Sequence, residues 1–296
     1  MNLKGVGVAL VTPFFDNGVI DHQALKRVVR HAIVQGADYL VALGTTAETA
    51  TLQEEEKKAV IQTILTENDN RLPLVLGVGG NNTSALVNYL QQLDPLPFSA
   101  ILSVTPYYNR PSQEGLYAHY KQLSLASPLP IIVYNVPGRT GVNLLPQTFI
   151  KIAINCLNVV AIKEASADLQ QGIELIRRVG GRWQVLSGED SLNLKLYQSG
   201  SAGCISVLGN AFPNQIAKMF SLMDSGNAKA AQALDQKLKR LNELLFLEGN
   251  PTGIKALLSL MSLCQKTVRL PLVGASVSLL EQFTEQLKMP VVSESC

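Results

Sequence analysis

The chain has 296 residues, 47% hydrophobic and 16% charged, with a formal net charge of +2 at pH 7. That balance suits a compact folded protein with a large core and excludes an intrinsically disordered one. A charge so near zero gives no electrostatic case for a nucleic acid or an anionic membrane as partner, and no apolar run reaches the roughly 18 residues of a membrane span.

The chain opens Met1-Asn2-Leu3-Lys4-Gly5, with no signal-peptide core, and strand-like sequence begins at once. Eight short Val/Ile/Leu-rich runs then recur: Gly5–Phe14, Asp38–Gly44, Leu72–Gly80, Ser99–Tyr108, Pro130–Pro137, Val159–Ala165, Trp183–Asp190 and Gly203–Asn210. Between them the apolar residues take a helical period. Ala24, Leu25, Val28, Val29, Ala32 and Ile33 form one stripe, with Lys26, Arg27 and Arg30 outside it. Thr51 with Glu54 three residues on predicts a capping box after the second strand, and Leu144–Ala153 and Leu169–Val179 also read as helices. Strands alternating with helices predict a parallel sheet, and eight is the number that closes it into an α/β (β/α)8 TIM barrel. The alternative is an open doubly wound sheet, disfavoured for dinucleotide binding because no Gly-x-Gly-x-x-Gly follows the first strand. After Asn210 only helical pattern remains, at Asn214–Met223, Ala228–Leu247, Gly253–Leu263 and Val277–Leu287, with Pro251 placed to break the chain. The expectation is a catalytic barrel over 1–225 and a small helical domain over 226–296, without a flexible linker.

Four cysteines, Cys156, Cys204, Cys264 and Cys296, are scattered without a CxxC pair, the pattern of buried thiols in a reducing cytoplasm. His22, His31 and His119 lack metal-ligand spacing, so no metal is expected; carbonyl chemistry on a lysine amine needs no organic cofactor either.

In a barrel of this kind the chemistry gathers at the C-terminal ends of the strands. The central stretch is Asn158–Ser166 (NVVAIKEAS), where an apolar run meets Lys163 near the end of a buried strand. Desolvation there favours the neutral amine, a nucleophile towards carbonyls. The plain alternative is a lysine that snorkels to solvent or pairs with Glu164. The other strand ends add Thr45 and Thr46, Tyr107 and Tyr108, Tyr134 and Arg139, Ser187-Gly188-Glu189-Asp190 and Ser206. An amine, phenols, hydroxyls and a guanidinium are what a Schiff-base enzyme acting on a keto acid needs: a phenol moves protons, N–H groups near Thr45 and Thr46 hold one carboxylate, and Arg139 grips another. Singly, Tyr107 and Tyr108 read equally as a packing pair, Arg139 as a solvated loop residue, and Glu48 and Asp190 as helix-start or salt-bridge groups. Their coincidence at one end of several strands favours chemistry.

At these residues the chain closely resembles the dihydrodipicolinate synthase family, within the pyruvate-dependent class I aldolases that include N-acetylneuraminate lyase. The likeness rests on Gly44–Glu48 (GTTAE), Pro106–Tyr117 (PYYNRPSQEGLY), Tyr134–Gly141 (YNVPGRTG) and Ile162–Ser166 (IKEAS), and extends through Phe246–Pro251 (FLEGNP). The tyrosine and Tyr–Arg motifs are specific to the synthases, whereas the lysine strand is common to the wider family. The resemblance implies a (β/α)8 barrel with a C-terminal helical domain, assembled as a homotetramer. It implies condensation of pyruvate with L-aspartate 4-semialdehyde on the route to diaminopimelate and lysine. It implies that Lys163 forms the Schiff base, Tyr134 transfers protons, and Thr45 links Tyr134 to Tyr108 of a neighbouring subunit. Thr45 and Thr46 would bind the pyruvate carboxylate and Arg139 that of the semialdehyde, while Gly188 and Ile205 line the site.

Two departures stand out. Ala47 replaces a glycine usual in the family, which is tolerable where the backbone has no positive φ. At the positions of the family's lysine-feedback site, Asn81 and Tyr107 match, but Glu54 and Lys57 stand where inhibited relatives carry histidines and Ala85 where they carry an acid; weak or absent inhibition by lysine is expected. The rival readings are another pyruvate aldolase, cleaving a sialic or 2-keto-3-deoxy sugar acid, and a non-catalytic keto-acid-binding barrel.

Overall fold

The computed structural model of the chain describes residues 3–288; Cys296 and the last eight residues of the expected helical domain lie outside them. Eight parallel strands follow one another in sequence order around a closed barrel: β1 Gly5–Ala9, β2 Tyr39–Ala42, β3 Leu74–Gly77, β4 Ala100–Val104, β5 Ile131–Asn135, β6 Val159–Glu164, β7 Gln184–Ser187 and β8 Gly203–Ser206. This is a (β/α)8 TIM barrel, not an open sheet. The helices between strands are α1 His22–Val34, α2 Glu54–Asn68, α3 Thr83–Gln92, α4 Gln113–Ala126, the single turn α5 Pro137–Thr140, α6 Pro146–Asn155, α7 Leu169–Val179 and α8 Asn193–Gln198. After β8 come α9 Pro213–Asp224, α10 Ala228–Leu247, α11 Thr252–Leu260 and α12 Val277–Leu287. No helix among the described residues is long and apolar enough to cross a membrane.

The strands are shorter than the apolar runs that announce them, because the polar tips leave the ladder. Leu43, past the end of β2, turns left-handed at φ 53°, and Pro106, past β4, has no N–H to give. What remains is covered on both faces, as β2 shows with all four residues buried. The helix after β2 also starts later than Thr51 suggested. Thr51 closes a 3-10 turn over Thr49–Thr51 and its hydroxyl donates back to the Glu48 carbonyl at 2.9 Å; the cap is Gln53, whose N–H donates to the Glu56 carboxylate at 2.9 Å.

The described chain falls into two compact units, one of residues 3–4 and 73–205, the other of 5–72 and 206–288. In the first, β3 to β7 pair in parallel register, with Tyr134 opposite Lys163 and Asn135 opposite Glu164. Its helices pack in succession, α3 on α4, α4 on α6 and α6 on α7. In the second, β1 pairs with β2, α1 packs on α2, and α9 to α12 pack together. The wholly buried Asn210 ties the turn after β8 to β1: its amide donates to the Ala9 carbonyl at 2.7 Å and accepts the Val11 N–H at 3.2 Å.

Candidate functional site

Lys163 and Tyr134 form the centre of the first unit. They sit on neighbouring strands in direct register, only 5% and 6% exposed, and the Lys163 ammonium nitrogen lies 4.3 Å from the centroid of the Tyr134 ring. The lysine does not snorkel. Nor does it pair with Glu164, because successive strand residues point to opposite faces. The Glu164 carboxylate accepts from Asn135 Nδ2 (3.0 Å), Gln171 Nε2 (3.1 Å) and the Ser166 N–H (2.7 Å). Burial pushes the Glu164 carboxyl above the usual carboxylate range, while these donors, Ser166 foremost, pull it back. Asn143 completes the cluster, bonding both Asn135 and Gln171 at 2.8 Å, so β5, β6 and α7 are stitched together behind the reactive face. A buried amine beside a phenol is a nucleophile with an acid–base group at hand.

The space that Lys163 occupies exists because residue 188 is a glycine. A methyl group there would meet the lysine Cε at 2.8 Å, its Cγ at 2.9 Å and the Ala165 Cβ at 2.8 Å. The Gly188 N–H donates to the Glu164 carbonyl at 2.7 Å, which fixes that approach. Ile205, on β8, is buried. Asp190 starts a 3-10 turn over Asp190–Leu192 and accepts from Asn193 at 2.9 Å, the helix-start role expected of it.

Tyr107, Tyr108 and Arg110 line one side of an open cleft of ≈ 560 Å³ whose other side is Gly138–Gly141. Arg139 is carried on α5, an exposed turn nucleated by Pro137, and is not part of a featureless loop. Arg110 packs against Gly141, where any Cβ would meet its Nε at 2.8 Å. Tyr108 is 86% exposed and left-handed at φ 73°, so it is not a packing partner of Tyr107 within the chain.

In the second unit, Thr45–Ala47 is a 3-10 turn following Gly44. Thr45 is exposed and Thr46 buried. Ala47 has no positive φ; the left-handed residue is Glu48, one position on, at φ 55°, so the alanine costs no backbone strain. Glu48 is the salt-bridge group expected of it: Lys255 Nζ donates to its Oε1 at 2.5 Å, with side-chain exposures of 0% and 1%. Burial pulls the Lys255 ammonium down and the Glu48 carboxylate holds it up. Thr46 Oγ1 accepts from Asn250 Nδ2 at 3.1 Å. Sequence reasoning did not single out Asn250, Lys255, Asn135, Asn143 or Gln171 as site residues; Asn135 and Asn250 lie within motifs that carry the resemblance, which was the signal available for those two. Among the described residues no three His, Cys, Asp or Glu side chains gather into a metal-sized cluster.

The family model of the dihydrodipicolinate synthetase family matches residues 2–289. The 4-hydroxy-tetrahydrodipicolinate synthase of Parabacteroides distasonis is 46% identical over 288 residues, covering 97% of each chain. Among solved structures, the dihydrodipicolinate synthase of Thermotoga maritima superposes with a TM-score of 0.93 at 39% identity, covering 100% of this chain and 99% of that one. The chloride-inhibited dihydrodipicolinate synthase of Acinetobacter baumannii, solved in complex with pyruvate, gives 0.92 at 38% identity, covering 97% of this chain and 98% of that one.

Proposed function

The chain belongs to the dihydrodipicolinate synthetase family, and we propose that it condenses pyruvate with L-aspartate 4-semialdehyde through a Schiff base on Lys163, acting as a 4-hydroxy-tetrahydrodipicolinate synthase in the making of diaminopimelate and lysine. The observation that carries the chemistry is the buried Lys163 amine in register with Tyr134. The amine attacks the ketone carbon, and the carbinolamine loses water with Tyr134 shuttling protons. The resulting iminium is an electron sink, so a methyl proton leaves and an enamine forms. Its carbon attacks the aldehyde, and the semialdehyde's amino group then displaces Lys163 and closes the ring.

Thr45 and Thr46 take the pyruvate carboxylate, Arg139 takes that of the semialdehyde, and Gly188 and Ile205 line the pocket. Tyr108 completes the relay through Thr45 in a neighbouring subunit, and its exposure in the single chain supports a subunit contact there; the assembly in this reading is a homotetramer. Residues 1–225 are the catalytic part and 226–296 the helical addition. The three described cysteines are buried, which supports a reducing, cytoplasmic setting.

The test is a coupled assay of pyruvate and L-aspartate semialdehyde, with the downstream reductase consuming NADPH, beside a sialic acid cleavage control. Turnover with the semialdehyde alone is expected. Pyruvate trapped on Lys163 by borohydride without semialdehyde turnover would move the acceptor to another aldehyde. No adduct at all would favour a keto-acid-binding protein.

A further inference from the structure

The turn that carries Thr45 and Thr46 is bracketed by two non-glycine residues in the left-handed region, Leu43 and Glu48. Such a backbone persists only where its surroundings hold it. Thr49 Oγ1 donates to the Leu43 carbonyl at 2.8 Å and to that of Gly44 at 3.0 Å. The described holds on the Glu48 side chain come from more than 200 residues further on. Lys255 Nζ binds Glu48 Oε1 and the Thr267 carbonyl (2.9 Å), and lies 4.1 Å from the Phe14 ring centroid. The Arg269 N–H donates to Glu48 Oε2 at 2.8 Å, and its guanidinium holds the Thr51 carbonyl at 2.9 Å. The Lys255 and Glu48 side chains are all but sealed from solvent, so neither charge has bulk water to fall back on.

The bond from Asn250 to Thr46 has a chemical consequence. The Asn250 amide fills an acceptor position of Thr46 Oγ1, and both residues are buried. The threonine's own proton therefore points away from Asn250. A hydroxyl held this way is a donor, which is what a carboxylate needs.

We infer that Asn250 and Lys255, in the C-terminal helical segment, are positioning residues for the keto-acid carboxylate: Asn250 sets the Thr46 hydroxyl as a donor, and Lys255 fixes the turn through Glu48. The inference rests on the reading of Thr46 as a carboxylate ligand of a pyruvate Schiff-base enzyme. It gives the helical segment a part in substrate affinity.

The experiment titrates pyruvate against the full-length wild type, Asn250→Ala, Asn250→Asp and Lys255→Met, trapping the Lys163 adduct with borohydride and reading it by intact mass. The expected half-saturating pyruvate rises about tenfold in Asn250→Ala, the scale of a lost hydrogen bond to a charged group. It rises further in Asn250→Asp, although Asp is the closer match in shape, because its carboxylate accepts the Thr46 proton and repels the substrate. That excess shrinks as the pH falls towards the ordinary aspartate range near 4. A role confined to packing would rank the two variants the other way and leave no pH dependence. Lys255→Met raises the half-saturating pyruvate without changing the semialdehyde KM; should it not fold, the two Asn250 variants decide alone. The inference is overturned by Asn250→Asp binding pyruvate as well as Asn250→Ala, or by equal losses in the two substrates. A wild type that traps no pyruvate overturns the reading beneath it, and this inference too.

Discussion

Gly188→Ala isolates the position of the reacting amine from its identity. The new methyl would lie 2.8 Å from Lys163 Cε and 2.8 Å from Ala165 Cβ. Ordinary contact begins near 3.4 Å, so something must give by about 0.6 Å. Ala165 Cβ is fixed by the backbone, whose N–H donates to the Asn135 carbonyl at 2.9 Å, so the backbone at 188 shifts away from it and the lysine chain is displaced. A misplacement of about 1 Å can cost on the order of 100-fold in rate, which sets the expectation here at about 10- to 100-fold in kcat/KM. Overpacking also lowers stability by about 1–3 kcal/mol, so the comparison belongs well below the variant's Tm. The assay is the coupled condensation, with borohydride trapping alongside it. The expected result is slow turnover with adduct still forming on Lys163, because the nucleophile is displaced and not removed. A variant with wild-type kcat and KM and an undiminished trapping rate would refute the reasoning, since it would mean the amine tolerates displacement.

Three further outcomes follow from the same geometry. Arg139→Ala is expected to weaken semialdehyde use by roughly 10- to 150-fold, the range for a charge-assisted contact, while leaving pyruvate trapping intact; an unchanged semialdehyde KM would give Arg139 another role. Lysine is expected to inhibit weakly or not at all: Lys57 is paired with Glu54 at 2.7 Å, so the pair offers a bound amine no net negative charge, and Ala85 offers none; half-maximal inhibition at micromolar lysine would contradict this. His119 is buried with Nδ1 bonded to Thr83 at 2.8 Å, and burial lowers its pKa to about 4. The unfolded chain therefore binds the extra proton first, and stability falls by up to about 3 kcal/mol as the pH drops from about 6.5 to about 4; denaturation against pH should show that slope in the wild type and not in His119→Leu.

The fold was legible because it rests on local pattern. Apolar runs of strand length alternate with helical stripes, and their number selects the barrel. The boundaries were less legible, since a run such as Asp38–Gly44 contains both a strand and the turn that ends it, and only Leu43's left-handed φ separates them. Lys163, Tyr134 and Arg139 were visible because polar residues at the ends of apolar strands have few other reasons to be there. Their supports were not visible. Glu164 is a bare acid in the sequence, and nothing local says that Asn135, eight residues before Asn143, and Gln171, seven after Glu164, would converge on it. Gly188 was given a role only through resemblance, and its physical reason, the room for Lys163, exists only once β6 and β7 lie side by side.

Lys255 was the least legible of these supports. In α11, TGIKALLSL, it is the one charged residue among nine, and at helical spacing it shares a face with Thr252 and Ser259, so the pattern reads as an ordinary polar stripe. The structure buries it completely. A buried ammonium needs an anion and further hydrogen bonds, because an uncompensated charge in the interior is strongly destabilising. In a chain with 16% charged residues, few carboxylates stand inside otherwise apolar or small-residue stretches, and Glu48, in GTTAE, is one of them. The ion pair helps hold an acid in a left-handed position where the chain leaves β2. The segment that reads as an appended helical domain carries the counter-charge of the turn proposed to hold the substrate. Residues this far apart in sequence are therefore coupled: Glu48→Gln combined with Lys255→Met is expected to destabilise less than the sum of the two single changes in a double-mutant cycle read by denaturation, and strict additivity would contradict the coupling.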